Sequence, residues 1–407
     1  MRNLVRTISA FIIIIILALC SITGYYIYSL PESFYVTRGT NLKLSCFFDV
    51  EATNNNKYQQ IMLGDEKVMQ SDVTLKLFGV IPIKEVTVKP VDTPVLIPGG
   101  NPFGIKLITE GVIVIGMAEV DSCDGNICPA SKSGIQIGDI IISINGNKMT
   151  SNQDVAEAIM KSQGEKVVVK IKRGNQVFEV NMEPSYSLSE ATFKAGIWVR
   201  DSSAGIGTIT FYDPQTKMFG GLGHPVCDVD TGEIMPLHSG QVVAVTINGV
   251  TKGRVGQPGE LLGSFVSNFS VGSILLNTNN GLFGELDSPP NQSVGIPMGY
   301  RQDVRTGHAT ILTTIKGNTP KEYSIEIEKI DMKNSDQNKN LVIKITDPEL
   351  LENAGGILQG MSGSPIIQDG KLVGAVTHVF VNDPTKGYGV FVDTMYSSAL
   401  NLAQNAA

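Results

Sequence analysis

The sequence predicts a mainly β protein of several domains behind one apolar N-terminal helix. Three observations lead there. A chain of 407 residues is too long for one ordinary core. Its 43 glycines fall, with Asn, Asp and Pro, between many short apolar runs, the punctuation of strands and turns. The stretch from Thr7 to Pro31 carries no charged residue, and about 20 apolar residues suffice to span a bilayer. The expected division is a cytoplasmic tip and anchor at 1–30, a β-rich linker at 31–95, a small domain at 96–184 and a larger β body at 190–407. A net charge of −7 without a basic cluster gives no reason to expect nucleic acid.

At the N-terminus, Arg2 and Arg6 precede the apolar run, which places the N-terminus in the cytoplasm and the body outside. Tyr25, Tyr26 and Tyr28 suit the interface, and no small-x-small site marks a cleaved signal peptide, the competing reading. Leu17-Ala18-Leu19-Cys20 only faintly resembles a lipoprotein box, because Leu19 is too large. Of five cysteines, Cys123 and Cys128 could pair in an oxidising compartment. The odd count favours reduced, mostly buried thiols instead. No Cys-x-x-Cys pair occurs, and Asp228-Val-Asp-Thr-Gly is only a fragment of a calcium loop, so neither metal nor cofactor is expected.

In the linker region, Val73 to Phe78 and Lys84 to Val91 alternate as strands, whereas Glu51 to Lys57 reads as a polar turn. From 96 onward comes a glycine loop, Gly99-Gly100-Asn101-Pro102-Phe103-Gly104-Ile105. Then follow Gly134-Ile-Gln-Ile-Gly-Asp-Ile-Ile-Ile-Ser-Ile-Asn145-Gly146, a Ser151/Asp154 capping box opening a helix, and a hairpin about Gly174. This order resembles a PDZ domain. PDZ domains take extended peptides by strand addition. Phe103, Gly104 and Ile105 would line the groove, facing Val155 and Ile159, unless the latter two are merely core.

The body is strand-rich enough for a pair of β-barrels, with a terminal helix from Thr394. Near its end stands Gly360-Met361-Ser362-Gly363-Ser364-Pro365, followed by β-branched residues and an Asp369-Gly370 turn. A serine in a glycine turn leading into strands fits a chymotrypsin-like nucleophile. The Gly360 and Ser362 N–H groups would form its oxyanion hole. Position 364 is Ser and no helix follows, unlike the elbow of α/β-hydrolases. His224, in a Gly-rich loop preceding the serine in sequence, is the candidate base. His378, on the strand after the serine hairpin, is a candidate for specificity. Asp347 is the candidate orienting carboxylate. It also reads as a helix N-cap before Pro348, and Asp228 and Asp230 lie closer to His224.

These stretches, with Arg200 to Thr208, Lys344 to Asp347 and Gln359 to Val390, resemble the SpoIVB peptidase family of spore-forming bacteria. The resemblance implies a His224, Asp347, Ser362 triad and a membrane-anchored serine endopeptidase of the forespore. Such an enzyme cleaves itself free and then cuts a regulator of an intramembrane protease, releasing a sigma factor during sporulation. Its partners would be that regulator, itself as substrate and the membrane. Two other classes fit a PDZ–protease pairing: an HtrA-like quality-control protease, whose domain order is the reverse, and a noncatalytic PDZ scaffold.

Overall fold

The computed structural model describes residues 2–63, 66–290, 294–333 and 338–406. Its first element is the helix Arg2–Ser29, of which Asn3–Ser29 is long and apolar enough to cross a membrane. Tyr26 and Leu30 are nevertheless buried with Phe34, Leu75 and Leu77. Tyr26 Oη also accepts the Phe48 N–H at 3.0 Å. The end of the helix is therefore built into a small four-stranded sheet, ordered Ser33–Thr37, Ile81–Val91, Glu66–Leu77, Val50–Leu63. The polar tract at 51–57 lies within the strand Val50–Leu63 and not in a turn. Its pairing with Glu66–Leu77 overrides the weak local strand preference.

Two long strands organise the rest. The outgoing strand is Pro102–Met117 and the return strand is Ile197–Tyr212. They pair antiparallel with each other almost throughout. Their distal halves, Ile113–Met117 and Ile197–Arg200, join a small module holding the strands Ile140–Ile144, Val167–Arg173 and Gln176–Met182 and the helix Asn152–Lys161. Two sequence signals work there as read. Ser151 and Asp154 form a reciprocal capping box. Asn145 and Gly146, at φ 51° and 79°, make the tight turn between Ile140–Ile144 and Asn147–Lys148. The module core is Val112, Val114, Ile141, Ile144, Val155, Ile159, Val169 and their neighbours.

The proximal halves of the same strands belong to the first barrel. The outgoing strand pairs with Leu237–Thr251, which pairs with Gly259–Thr278, then Gly281–Leu286, then Met218–Gly221, then the return strand, which closes the ring on the outgoing strand. The second barrel is closed by Gly307–Thr313, Lys321–Ile330, Leu341–Ile345, Asp383–Phe391, Lys371–Phe380 and Pro365–Gln368. The terminal helix Val392–Ala406 buries Met395 and Ala399 in one cluster with Phe211 and Phe283 of the first barrel and Leu372 and Ala375 of the second. It thereby glues the barrels together.

This topology corrects the peptide-groove expectation for Phe103, Gly104 and Ile105. All three sit on the outgoing strand inside the first barrel, paired to the return strand on one side and to Leu237–Thr251 on the other. Phe103 and Ile105 are buried with Phe219 and Leu222. A Cβ on Gly104 would come within 2.5 Å of Val243 Cγ2. The preceding Gly99-Gly100 turn joins the barrels: Gly99 N–H donates to Thr210 O, and Gly100 O accepts the Thr314 hydroxyl. Strand pairing thus starts the inserted module beyond residue 109 and ends it near residue 200, not at 96 and 184. The five cysteines are free. Cys128 points its thiol at Gly196 O (3.2 Å) and not at Cys123, and Cys20 and Cys123 are exposed and not buried.

Candidate active site

The serine turn needs glycine at two places. Gly360 and Gly363 have φ of 95° and 97°, where a side chain is strained. A Cβ at Gly363 would lie 2.0 Å from Thr208 O and 2.5 Å from Leu222 N. The turn therefore presses directly on the return strand and on the backbone two residues before His224. Ser362 is half-buried, whereas Ser364 is fully buried with its hydroxyl donated to Met361 O at 2.6 Å. Of the two serines, only Ser362 is placed to meet a substrate. Its Oγ donates to Thr377 O at 2.7 Å.

His224 arrives on a loop with Leu222 and Gly223 at φ of 66° and 69°. A Cβ on Gly223 would meet Thr377 Cγ2 at 2.9 Å, so this loop also rests on the residue that holds the serine proton. The His224 ring lies 4.8 Å from that of His378, tilted by 36°. The serine turn, His224 and His378 thus converge around Thr377. Nδ1 of His224 is 2.8 Å from Pro225 O. A carbonyl only accepts, so the proton sits on Nδ1 and Nε2 is left as the basic nitrogen. Burial pushes the imidazole below its ordinary value, opposed by the Pro225 bond. His238 and His308 are exposed on other strands.

The carboxylates are placed differently. Asp347 caps the helix Pro348–Ala354, accepting Leu350 N–H at 3.1 Å and Ser324 N–H at 3.3 Å. Both oxygens are engaged by backbone, and the structure does not bring them to His224. Asp228 is held by Arg200 of the return strand, whose other amino group binds Asp230 at 2.7 Å. Burial works to raise the Asp228 carboxyl, but bonds from Thr231 N–H, Arg200 and Asp230 N–H keep it below the usual range. These two aspartates pin the end of the histidine loop and do not orient the imidazole. Asn277 completes that pinning by bonding Val226 N and O and Met235 O. Sequence reading gives neither residue a role: Asn277 looks like an ordinary strand residue, and Arg200 enters only as the first residue of a stretch that carries the family resemblance.

A second concavity lies in the module. The return strand at Ile197–Arg200 pairs with the outgoing strand and, across a cavity of about 990 Å³, faces the helix carrying Val155 and Ile159. Asp201 accepts the Asn152 N–H and so ties the start of that helix to the strand. Val155 and Ile159 line this cavity and are also core, at 2% and 5% exposure.

A family model described as SpoIVB peptidase S55 matches residues 191–396, half of the chain. The chain belongs to the SpoIVB peptidase S55 family. A PDZ-domain model matches residues 128–173, within the inserted module. The match to the SpoIVB peptidase family begins just before the return strand and takes in the second barrel and all of the first except its outgoing strand, so it contains Ser362, His224, Asp347 and His378. Among curated relatives, Serine protease HTRA1 of Xenopus tropicalis and that of Xenopus laevis are each 43% identical over 56 residues. That stretch is 14% of this chain and 12% of each relative, so the chain spans only a small part of their length. The solved PDZ domain of the SdrC-like protein of Listeria monocytogenes is 24% identical, covering 22% of this chain and 87% of its own. Its TM-score is 0.18, and the likeness carries no argument here.

Proposed function

We propose that the chain is a serine endopeptidase with Ser362 as nucleophile and His224 as general base. The observation that carries this reading is the packing of Gly363 against Thr208 O and Leu222 N, which sets the serine turn of one barrel against the histidine loop of the other. Chemistry would begin when Ser362 turns its hydroxyl from Thr377 O toward Nε2 of His224. Oγ then attacks the scissile carbonyl, His224 takes the proton, and the Gly360 and Ser362 N–H groups hold the oxyanion. His224 returns the proton to the leaving amine, and water repeats the cycle on the acyl-enzyme. His378, exposed beside His224, borders the place where substrate would lie and remains the candidate for specificity. Asp347 is the third member that the family resemblance implies, whereas Pro225 O fixes the imidazole tautomer in this structure. A fluorophosphonate probe tests the nucleophile. It should label wild type and Ser364→Ala but not Ser362→Ala, and labelling of Ser362→Ala would sink the assignment.

The module is proposed to hold an extended peptide as an added strand on Ile197–Val199, against Val155 and Ile159. Binding there would raise the local concentration of a partner's scissile segment. Family membership favours the signalling role: self-release from the membrane, then cleavage of a regulator of an intramembrane protease during sporulation. The arginines before the apolar helix favour a cytoplasmic N-terminus and an extracytoplasmic body. Wild type should yield a soluble form truncated between residues 31 and 95, and Ser362→Ala should stay full length in the membrane fraction. Equal truncation of both would assign the cut to another protease.

A further inference from the structure

We infer that Thr208, supported by Thr210, is a positioning residue that sets the nucleophile turn from the opposite barrel. This rests on the reading of Ser362 as nucleophile. Both threonines lie on the return strand, at 1% and 0% exposure. Thr208 Oγ1 donates to Gly360 O at 2.8 Å, and its N–H donates to Ser362 O at 3.0 Å. Its own carbonyl accepts Leu222 N–H, at 3.3 Å, from the histidine loop. Thr210 Oγ1 donates to Gly363 O at 2.7 Å. One residue thus bonds both catalytic loops, and one strand holds three of the four carbonyls from Gly360 to Gly363. The fourth, Met361 O, accepts from Ser364 N and Oγ.

The consequence follows from peptide planarity. The oxyanion donors, Gly360 N–H and Ser362 N–H, belong to the peptide planes 359–360 and 361–362. The planes between and beyond them, 360–361, 362–363 and 363–364, have their carbonyl edges held by Thr208 and Thr210. Gly360, in the left-handed region and without a side chain, is the hinge between a donor plane and its neighbour, whose N–H edge, at Met361, is held by Leu358 O at 3.1 Å. The Thr208 hydroxyl supplies the second anchor, on the carbonyl edge of that plane. Valine has nearly the same shape and would fill the barrel equally well, so the hydroxyl is present for the bond. A donor plane misaimed by an ångström loses about a hundredfold in rate.

The test compares full-length Thr208→Val, Thr208→Ser and wild type by the saturation kinetics of fluorophosphonate labelling at Ser362, with thermal unfolding followed in parallel. In Thr208→Val the maximal labelling rate should fall by about tenfold to a hundredfold. The probe concentration at half-saturation should be unchanged. Thr208→Ser, which restores the hydroxyl, should return to within about threefold of wild type. Wild-type labelling in Thr208→Val, or a serine variant as slow as the valine one, overturns the inference. So does a loss of rate that only tracks the unfolded fraction. If Thr208→Val does not fold, Thr210→Val against Thr210→Ser gives the same comparison through Gly363 O. Absence of any Ser362 adduct on wild type would instead overturn the nucleophile reading itself, a result separable from all of these.

Discussion

The two barrels carry the same number of strands but are assembled differently. The second is drawn from a continuous piece of chain, Gly307 to Phe391, mostly through neighbouring hairpins. The first closes only because Ile105 meets Gly205 and Phe103 meets Gly207, across a whole inserted module. Each gives one loop to the candidate site, the serine turn from the second and the histidine loop from the first. The difference shows that a site can depend on a contact made far from either loop in sequence. It also separates what each barrel contributes to chemistry from what it contributes to stability.

The sharpest break in the comparison is chemical. Ser362→Ala should lower proteolysis by several orders of magnitude with an unchanged unfolding midpoint, and His224→Ala should come close to it. Next in size is Phe103→Ala. As a barrel core residue it should cost about 3–5 kcal/mol in chemical unfolding. A stable variant that merely bound peptide less well would return Phe103 to the groove. Gly363→Ala attacks the joint between the barrels. Its Cβ has no room and its φ is strained, so about 1–3 kcal/mol of stability should go together with activity.

Asp347→Asn separates capping from catalysis. Asn keeps the Leu350 cap through its one oxygen but cannot also accept the Ser324 N–H, so unfolding should cost only about 1 kcal/mol. Any loss of rate then measures a catalytic part for the carboxylate, and we expect it to be far milder than that of Ser362→Ala. The smallest effect is in pH. The base must be neutral to act, and burial holds His224 below its ordinary value of 6.5. Activity should persist as pH falls through 6.5 and fade only at the lower folded value. The same depressed value means that this group's contribution to stability is present above 6.5 and declines below it. An acid limb of kcat/KM lying above 6.5 would contradict the partly buried setting that lowers His224.

Legibility in the sequence followed the same divide. The serine turn could be read because its glycines, proline and following Asp369-Gly370 turn act within a few residues. Asp369 and Gly370 do take the φ values of 51° and 73° that such a turn requires. The PDZ-like run about Asp139 and the capping box were local too. The groove was misassigned because Gly99 to Ile105 has the composition of a peptide-binding loop, and only its distant partners show it to be barrel. Arg200 and Thr208 bound a stretch that carries the family resemblance, but nothing local gives either of them, or Thr210, a role. Their importance lies in what the fold brings opposite them. Asp347 carried both a capping and a triad reading, and local sequence decides only the first.

In terms of loop closure, the inserted module is the loop of a hairpin. Ile108 and Ser202 are paired neighbours on the two strands, so the inserted chain leaves and re-enters the barrel at one point. Doubling the length of a loop costs only about 0.6 kcal/mol, so a barrel hardly feels how much chain lies beyond such a pair. A whole domain can therefore be carried there, and it can also be taken away. Joining Ile108 to Ser202 through an Asn-Gly turn should leave a folded double barrel, at the loss of Arg200's hold on Asp228. Deleting 96–184 instead would extract Phe103, Ile105 and Leu107 from the core. Fluorophosphonate labelling at Ser362 in the first variant and its absence in the second would mark where the seam lies.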